Sequence, residues 1–463
     1  MINLFPDQAA VIDQTRAAML KSKSVLIQAA TGFGKTVLTA SMVQGTIKKG
    51  TTSTMVVPRR ELLRQTSETY TKFEIPHSYV AAGFGFDPNC KTLIATAGSL
   101  ARRLDVAPVP QVLFVDETHF GAGQLDGIIA HYKERGSWIV GLSATPERLD
   151  GRGLGCWYDA MVQGPPTADL IERGRLSKFR MFAPDTPDMT GIRKTAGDYA
   201  RGQLSDKMEG DHVLIGNAVK HYRAHAMGTL NVTFCVSVNH AEIVAKAFRE
   251  NGIPAAAIYG AMKDDERAAL IKAFARRELL VLTSVDLLIF GFDLASAAQM
   301  DVSVESISDL APTESLSKQM QKWGRSLRAK DFPAIILDHA GNAGRHGLPD
   351  QARDWTLDDR PKAKSNSEPT QPIRQCDHCY FVHRPSPECP NCGFSYPVAD
   401  RSIKEIEGDL KEIEQVEKRQ ERQAQGRAET LQDLISLAER TGKKKSWAIH
   451  VWNARQRKKT GVR

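Results

Sequence analysis

No stretch of this chain approaches the roughly 18 consecutive apolar residues that a membrane-spanning helix requires. The N-terminus, Met1-Ile2-Asn3-Leu4-Phe5-Pro6-Asp7, also lacks the basic segment and apolar core of a secretory signal. These absences argue against a membrane or secreted protein, and the expectation is a soluble, cytoplasmic chain with no membrane partner. Cysteine is scarce outside one cluster. Cys90, Cys156 and Cys235 stand alone, which supplies no disulfide framework and reads as three small buried hydrophobes. No internal repeat of solenoid length is present. Acidic residues are missing from Arg440 to Arg463, where nine Lys and Arg accumulate; the remaining chain carries 53 basic against 54 acidic residues. The formal net charge of +8 therefore belongs to the tail, which becomes a candidate contact for a phosphate backbone.

A chain of 463 residues, 41% hydrophobic and 25% charged, has ordinary globular composition and is long enough for two or three domains. Short apolar runs alternate with helical patterns: Val25–Ile27, Met55–Val57, Thr92–Ala95, Val112–Val115 and Trp138–Leu142 in residues 1–165, then Val232–Val236, Ala257–Tyr259, Leu279–Leu282 and Ala334–Leu337 in residues 166–347. Strands apolar throughout belong to parallel sheets covered on both faces, so the fold class is α/β, with two doubly wound domains in tandem. Residues 348–373, rich in Pro, Ser, Lys and Asn toward their end, read as a linker, 374–397 as a cysteine-rich module, and 398–463 as a helical, basic region. Within the last, Ile403, Ile406, Leu410, Ile413 and Val416 recur at helical spacing.

Two segments carry chemistry. In Thr31-Gly32-Phe33-Gly34-Lys35-Thr36 the glycines permit a tight turn whose N–H groups face phosphate oxygens at the start of a helix. Lys35 would reach the β and γ phosphates of a nucleotide, and Thr36 would place its hydroxyl on magnesium. Asp116-Glu117-Thr118-His119 follows an apolar strand, which puts its carboxylates at the carboxyl edge of the sheet. Asp116 would hold magnesium, Glu117 would orient and deprotonate a water, and His119 would link the nucleotide to the second domain.

In this order the segments resemble those of superfamily 2 helicases and translocases of the DEAD/DEAH-like class, in particular phage and bacterial relatives of XPB and of type III restriction motors. The resemblance covers about residues 1–347 and implies two RecA-like domains with ATP in the cleft between them. It implies that Gln8 reads adenine and that Arg59, in Val56-Val57-Pro58-Arg59-Arg60-Glu61-Leu62, grips nucleic acid together with Thr96. Ser143 and Thr145, in Ser143-Ala144-Thr145-Pro146, would couple hydrolysis to movement. In the second domain Thr283 would meet the nucleic-acid backbone, while Gly291 and Asp293 would approach the ribose and phosphates. Relatives carry Glu before that glycine; this chain has Phe290. Gln321-Lys322-Trp323-Gly324-Arg325-Ser326-Leu327-Arg328 resembles the sixth helicase motif, with Gln321 as a coupling residue. Its two arginines are expected on one helix face, Arg328 as the finger toward the γ-phosphate and Arg325 second.

Cys376-x-x-Cys379 and Cys389-x-x-Cys392 have the spacing of a four-thiolate zinc ribbon, a structural site with no open coordination position. In the tail, Lys443-Lys444-Lys445 adjoin Trp447 and Trp452, which suits either base stacking or a small helical core. The expected activity is an ATP-dependent helicase or translocase, with ATP, Mg and Zn as cofactors and DNA favoured over RNA. Replication, recombination or nuclease proteins are expected partners. The alternatives are an ATP-gated nucleic-acid structure-binding protein and the motor subunit of a nuclease complex.

Overall fold

The alternation along each strand decides where the core lies. Val25 and Ile27 enter one hydrophobic cluster and Leu26 another; Met55 and Val57 likewise part from Val56. Successive side chains of a strand point to opposite faces, so such a strand is buried only if helices cover both. The computed structural model describes residues 2–359 apart from 121–122, 149–150, 185, 196, 290–293, 299 and 301, then 372–397, 425, 428, 430–441 and 443–460. Of 212, 296 and 454–460 only the backbone is described.

The first sheet contains β1 (Ser24–Gln28), β2 (Ser53–Val57), β3 (Ser78–Val80), β4 (Thr92–Thr96), β5 (Val112–Val115), β6 (Trp138–Ser143) and β7 (Ala160–Gln163). They are parallel throughout, in the order β3-β4-β2-β5-β6-β1-β7. The helices Pro6–Met19, Lys35–Lys48 and Arg60–Lys72 pack on one face through Val11, Leu38 and Leu63, and Gln124–Glu134 on the other through Ile128 and Tyr132.

The second sheet begins with β8 (Phe179–Phe182). After a hairpin of β9 (Lys194–Thr195) and β10 (Asp198–Tyr199) come β11 (Asn231–Phe234), β12 (Ala255–Ile258), β13 (Val281–Ser284), β14 (Ser306–Asp309) and β15 (Ala334–Asp338). This sheet is also fully parallel, ordered β12-β13-β11-β14-β15-β8. Two parallel sheets in succession are the fold expected from the strand pattern, and they fit the RecA-like pair that the resemblance implied.

One central strand has no apolar signature. Ser306, Ser308 and Asp309 of β14 are fully buried. Neighbours satisfy them: Asn231 Nδ2 donates to Ser306 Oγ and Ser308 Oγ at 2.8 and 3.2 Å, and Asp309 accepts from Lys322 Nζ at 2.8 Å, Gln319 Nε2 at 2.9 Å and Asn342 Nδ2 at 3.0 Å. Removing either member of a buried, hydrogen-bonded ion pair strands the other, at a cost of about 3–5 kcal/mol. Asp309 thus fixes the helix Leu316–Ser326, which carries Lys322, against the sheet.

Residues 348–359, expected to be a linker, run back onto the first sheet instead. Leu357 joins its core, the Leu357 carbonyl accepts from Gly155 N–H at 2.8 Å, and Asp359 Oδ1 accepts from Gly153 N–H at 2.8 Å. The approach is so close that a Cβ on Gly153 would lie 2.1 Å from the Leu357 carbonyl oxygen. A half-buried apolar side chain, met by two glycines, overrides the polar composition around it. Residues 362–371 of the expected linker lie outside the described residues.

The cysteine-rich module carries the pair β16 (Arg374–Gln375) and β17 (Val382–His383). It extends the edge of the second sheet: Ala183 N–H donates to the Tyr380 carbonyl at 2.9 Å, and the rings of Phe182 and Phe381 meet edge-on at 5.5 Å. Among the isolated cysteines, Cys235 is buried and Cys90 half-buried, but Cys156 is exposed. It lies in a turn whose neighbours Leu154, Trp157 and Tyr158 take the core positions, which corrects the expectation of burial there.

Residues from Pro397 onward form a separate unit. Its helices Leu431–Arg440 and Lys445–Thr460 share a core of Leu434, Ala438 and Ala448, joined by Trp447 and Trp452. Thr430 caps the first by accepting from the Asp433 N–H. The two tryptophans therefore pack, the second of the two sequence alternatives. The helical stripe at 403–416 lies outside the described residues. Among the described residues no helix is long and apolar enough to cross a membrane.

Candidate active site

The loop after β1 turns at Gly32 and Gly34, with φ of 88° and 93°, values at which a side chain is strained. Space is closed there as well. A Cβ on Gly34 would lie 2.6 Å from Gln8 Nε2. Gln8 Nε2 donates to the Phe33 carbonyl at 2.8 Å, and Oε1 accepts from Phe5 N–H at 3.1 Å, so the chain itself engages both ends of this amide. Each end of a primary amide has capacity for a second hydrogen bond, so these two bonds orient Gln8 without excluding a base. Thr31 Oγ1 is buried with no hydrogen-bond partner among the described residues. Lys35 and Thr36 open the helix Lys35–Lys48, whose N-terminal N–H groups face the loop.

Asp116 and Glu117 follow β5 directly. Glu117 has φ 46°, a left-handed conformation that costs a non-glycine residue about 1–3 kcal/mol and persists only where its surroundings enforce it. Its Oε1 lies 3.7 Å from Lys35 Nζ and accepts from Gln321 Nε2, which comes from the second sheet's side, at 2.9 Å. Glu117 Oε2 is buried with no hydrogen-bond partner among the described residues. Burial pushes the Asp116 carboxyl up to about 7; the Glu117 charge adds to the push and Lys35 opposes it. Burial also works against the Glu117 carboxylate, but Lys35 foremost, with the Gln321 hydrogen bond and Arg325, holds it below the usual range. One carboxylate is thus kept charged beside an easily protonated one, the environment-driven separation that acid–base sites use.

Burial brings His119 down to about 4, so the imidazole is neutral. Nδ1 lies 2.8 Å from Ser143 Oγ and Nε2 lies 2.6 Å from Ser317 Oγ. Ser143 donates its own proton to the Thr145 carbonyl at 2.7 Å and accepts from Thr145 N–H at 3.0 Å. With that hydroxyl proton committed, His119 Nδ1–H must be the donor to Ser143, and Nε2 must accept from Ser317. The expected coupling residues His119, Ser143 and Thr145 are thereby brought into one chain, which ends on a residue that the sequence reading did not name. Ser317 lies four residues before Gln321, hence on the same helix face; that spacing was the available signal.

The helix Leu316–Ser326 approaches closely enough that a Cβ on Gly324 would lie 2.2 Å from Thr31 Cγ2. It ends at Ser326, which separates the two arginines. Arg325 is in its last turn, donates to the Ile289 carbonyl at 2.9 Å and acts electrostatically on Glu117. Arg328 lies beyond the helix, in a bridge to Leu176, while Ser177 N–H donates to the Leu327 carbonyl at 2.9 Å. The expectation of both on one helix face is therefore corrected, because pairing with the connection between the sheets replaces the next helical turn.

Arg59 and Thr96 line one cavity of about 420 Å³, together with Arg60, Ser99, Arg102 and Gln124. Thr283 does not meet a surface: it is fully buried and donates to the Ala241 carbonyl at 2.8 Å, so its expected role toward a strand is corrected to holding the helix Val238–Glu250 on β13. Phe290, Gly291 and Asp293 lie outside the described residues.

The four clustered cysteines converge. Cys376 and Cys392 sulfurs are 3.7 Å apart, as are those of Cys379 and Cys389, and all four lie within 4.8 Å of one another. Sulfurs placed ~2.3 Å from a shared tetrahedral centre stand about 3.8 Å apart, whereas disulfide sulfurs stand about 2.05 Å apart. The set fits a zinc ion. His383 is committed elsewhere, to the Arg384 carbonyl and the Tyr396 hydroxyl.

Comparison with known proteins agrees with this layout. Residues 1–148 match the family described as type III restriction enzyme, res subunit, and residues 216–330 match the helicase conserved C-terminal domain. A 51.5 kDa protein of Lactococcus phage (isolate 7-9) is 29% identical over 395 residues, covering 84% of this chain and 82% of the phage protein. Saccharomyces cerevisiae IRC3, named as a candidate ATP-dependent helicase, is 27% identical over 344 residues; the match covers 68% of this chain but only 48% of IRC3, about half its length. In fold alone the chain is similar to a variant of S. cerevisiae Dbp5 bound to RNA and ADP BeF3, with TM-score 0.50 and 13% identity over 75% of this chain and 92% of that one. The chain thus carries two helicase-family halves in order on two parallel sheets, similar to the superfamily 2 helicases of the type III restriction motor kind.

Proposed function

We propose that this protein is an ATP-driven motor on DNA, with the nucleotide held between its two sheets. Glu117 carries the reading: one carboxylate oxygen faces Lys35 from the first domain and accepts from Gln321 of the second. A site completed from both sides makes hydrolysis sensitive to their separation. Lys35 and the loop N–H groups bind the phosphates. Thr36 and Asp116 would hold magnesium, which when bound neutralises phosphate charge. Glu117 Oε2 orients the attacking water and accepts its proton. Arg325, whose charge acts on Glu117 while Arg328 pairs with Leu176, is the better placed guanidinium to stabilise charge on the transferred phosphoryl group. Gln321, and His119 through Ser317, transmit cleft closure to the second domain. Arg59 and Thr96 grip the strand, and the four cysteines hold a zinc that keeps their module folded.

ATP turnover measured in parallel with single-stranded, duplex and forked DNA and with RNA tests the proposal. The expected result is stimulation by DNA that Lys35→Ala and Glu117→Gln abolish. Unchanged turnover in either variant would remove the site assignment, and stimulation by RNA alone would remove DNA as the substrate.

A further inference from the structure

The cavity lined by Arg59 and Thr96 shares a wall with another. Ala82 lines it and also lines a second cavity of about 320 Å³ on the far side of the loop that follows β3. The second has a different chemistry. Phe84, Phe86, Val106 and Ala107 supply apolar walls, Arg103 supplies a cation, and no carboxylate lines it. Phe84 is fixed in place, its ring 5.0 Å from that of Tyr79 and 5.9 Å from the Arg60 guanidinium carbon. Phe86 is 46% exposed and Val106 is 73% exposed, although the core positions around them are filled. Asp87, next in the chain, turns its carboxylate back to accept from Asn89 N–H at 2.9 Å. A groove lined by Arg59, Arg60 and Arg102, with Glu61 as its one carboxylate, thus adjoins at Ala82 a neutral aromatic compartment with a cation at its rim.

We infer that this second compartment receives an unstacked base of the single strand whose phosphates run through the first. The inference rests on the nucleic-acid motor reading and deepens it by assigning a base subsite. A nucleotide unit pairs a charged backbone with a planar apolar ring, and the two adjoining compartments match those two parts. Every base has a π-face, so Phe86 selects unpaired bases with little regard to sequence. Duplex DNA, with its bases stacked inside, cannot use the compartment. Arg103 attracts the strand and can lie against the seated ring.

The test uses the full chain with single-stranded oligonucleotides of equal length, one with natural bases and one with a run of abasic sites, in equilibrium binding titrations. Phe86→Ala weakens binding of the natural oligonucleotide by about 5- to 150-fold, the range for loss of one stacked base. Phe86→Trp restores it. The abasic oligonucleotide binds wild type and Phe86→Ala alike, and the salt dependence is unchanged because the phosphate contacts remain. Val106→Glu, at a position exposed enough to accept the change, weakens natural-base binding without touching Phe86. Equal affinity of wild type and both variants for the natural oligonucleotide overturns the base subsite. Failure of DNA to stimulate ATP turnover in the wild type overturns the motor reading instead, so the two failures are told apart.

Discussion

Ser317→Ala removes one hydroxyl from the helix Leu316–Ser326 and tests whether His119 transmits closure across the cleft. In the structure the neutral imidazole receives that hydroxyl on Nε2 at 2.6 Å, with its side chain only 3% exposed. Nδ1–H is already committed to Ser143, so the ring cannot shift its tautomer to recover a partner without breaking the Ser143–Thr145 link. A buried acceptor left without its donor costs about 1–3 kcal/mol, which is a factor of about 5 to 150 in an equilibrium. That penalty falls only on the arrangement in which the two domains meet. The loss should therefore appear in kcat/KM for ATP at saturating nucleic acid, with melting temperature little changed because Ser317 serves the interdomain contact alone. Ser317→Thr, which keeps the hydroxyl, should recover most of the rate. A Ser317→Ala enzyme within twofold of wild type, while Ser143→Ala is impaired, would refute the cross-cleft link and leave His119 acting within the first domain only.

Two further predictions concern the parts that flank the cleft. Gly153→Ala should displace residues 355–359 from the first sheet, since the new Cβ would stand 2.1 Å from a backbone oxygen; losing the Gly153–Asp359 and Gly155–Leu357 hydrogen bonds predicts about 1–4 kcal/mol of destabilisation and faster proteolytic cutting in that segment. An unchanged melting curve would contradict it. Cys389→Ser should lower the zinc content of purified protein from one equivalent per chain and unfold the module, and because Phe381 and Tyr380 cover β8, it should also lower the melting temperature of the second domain. Full metal content by elemental analysis would argue against the four-cysteine site.

The chemistry of the first domain was legible in sequence because it depends on particular side chains at fixed distances from strand ends: Lys35 after two glycines, Asp116 after four apolar residues. Apolar strands were legible because burial on both faces leaves no polar positions. What failed to show was whatever depends on a partner far along the chain. β14 reads as a polar loop until Asn231, Lys322 and Asn342 are placed beside its serines and Asp309. Arg328 reads as helical until Leu176 is found to pair with it, and Gly153 reads as one glycine of a turn until the Leu357 carbonyl arrives. Ser317 is an intermediate case, since its spacing from Gln321 is visible while the importance of its hydroxyl depends on the protonation of His119.

Residues 348–359 and 374–396 pack on the two sheets. In each sheet one outermost strand adjoins the connection between them, β7 at the end of the first and β8 at the start of the second. An uncovered edge offers unpaired backbone groups to any other strand. Trp355 and Leu357 come to the β7 side, where Gln163 Nε2 donates to the Trp355 carbonyl at 3.1 Å, and Tyr380 and Phe381 come to β8. A single stretch of chain thus meets both strands that border the connection, while the end of the helix Leu316–Ser326 is tied to that connection through Leu176 and Ser177. The same helix meets the first domain through Ser317, Gln321 and Gly324. The cysteine-rich module, in covering β8, has a stabilising role toward the second sheet before any role toward nucleic acid.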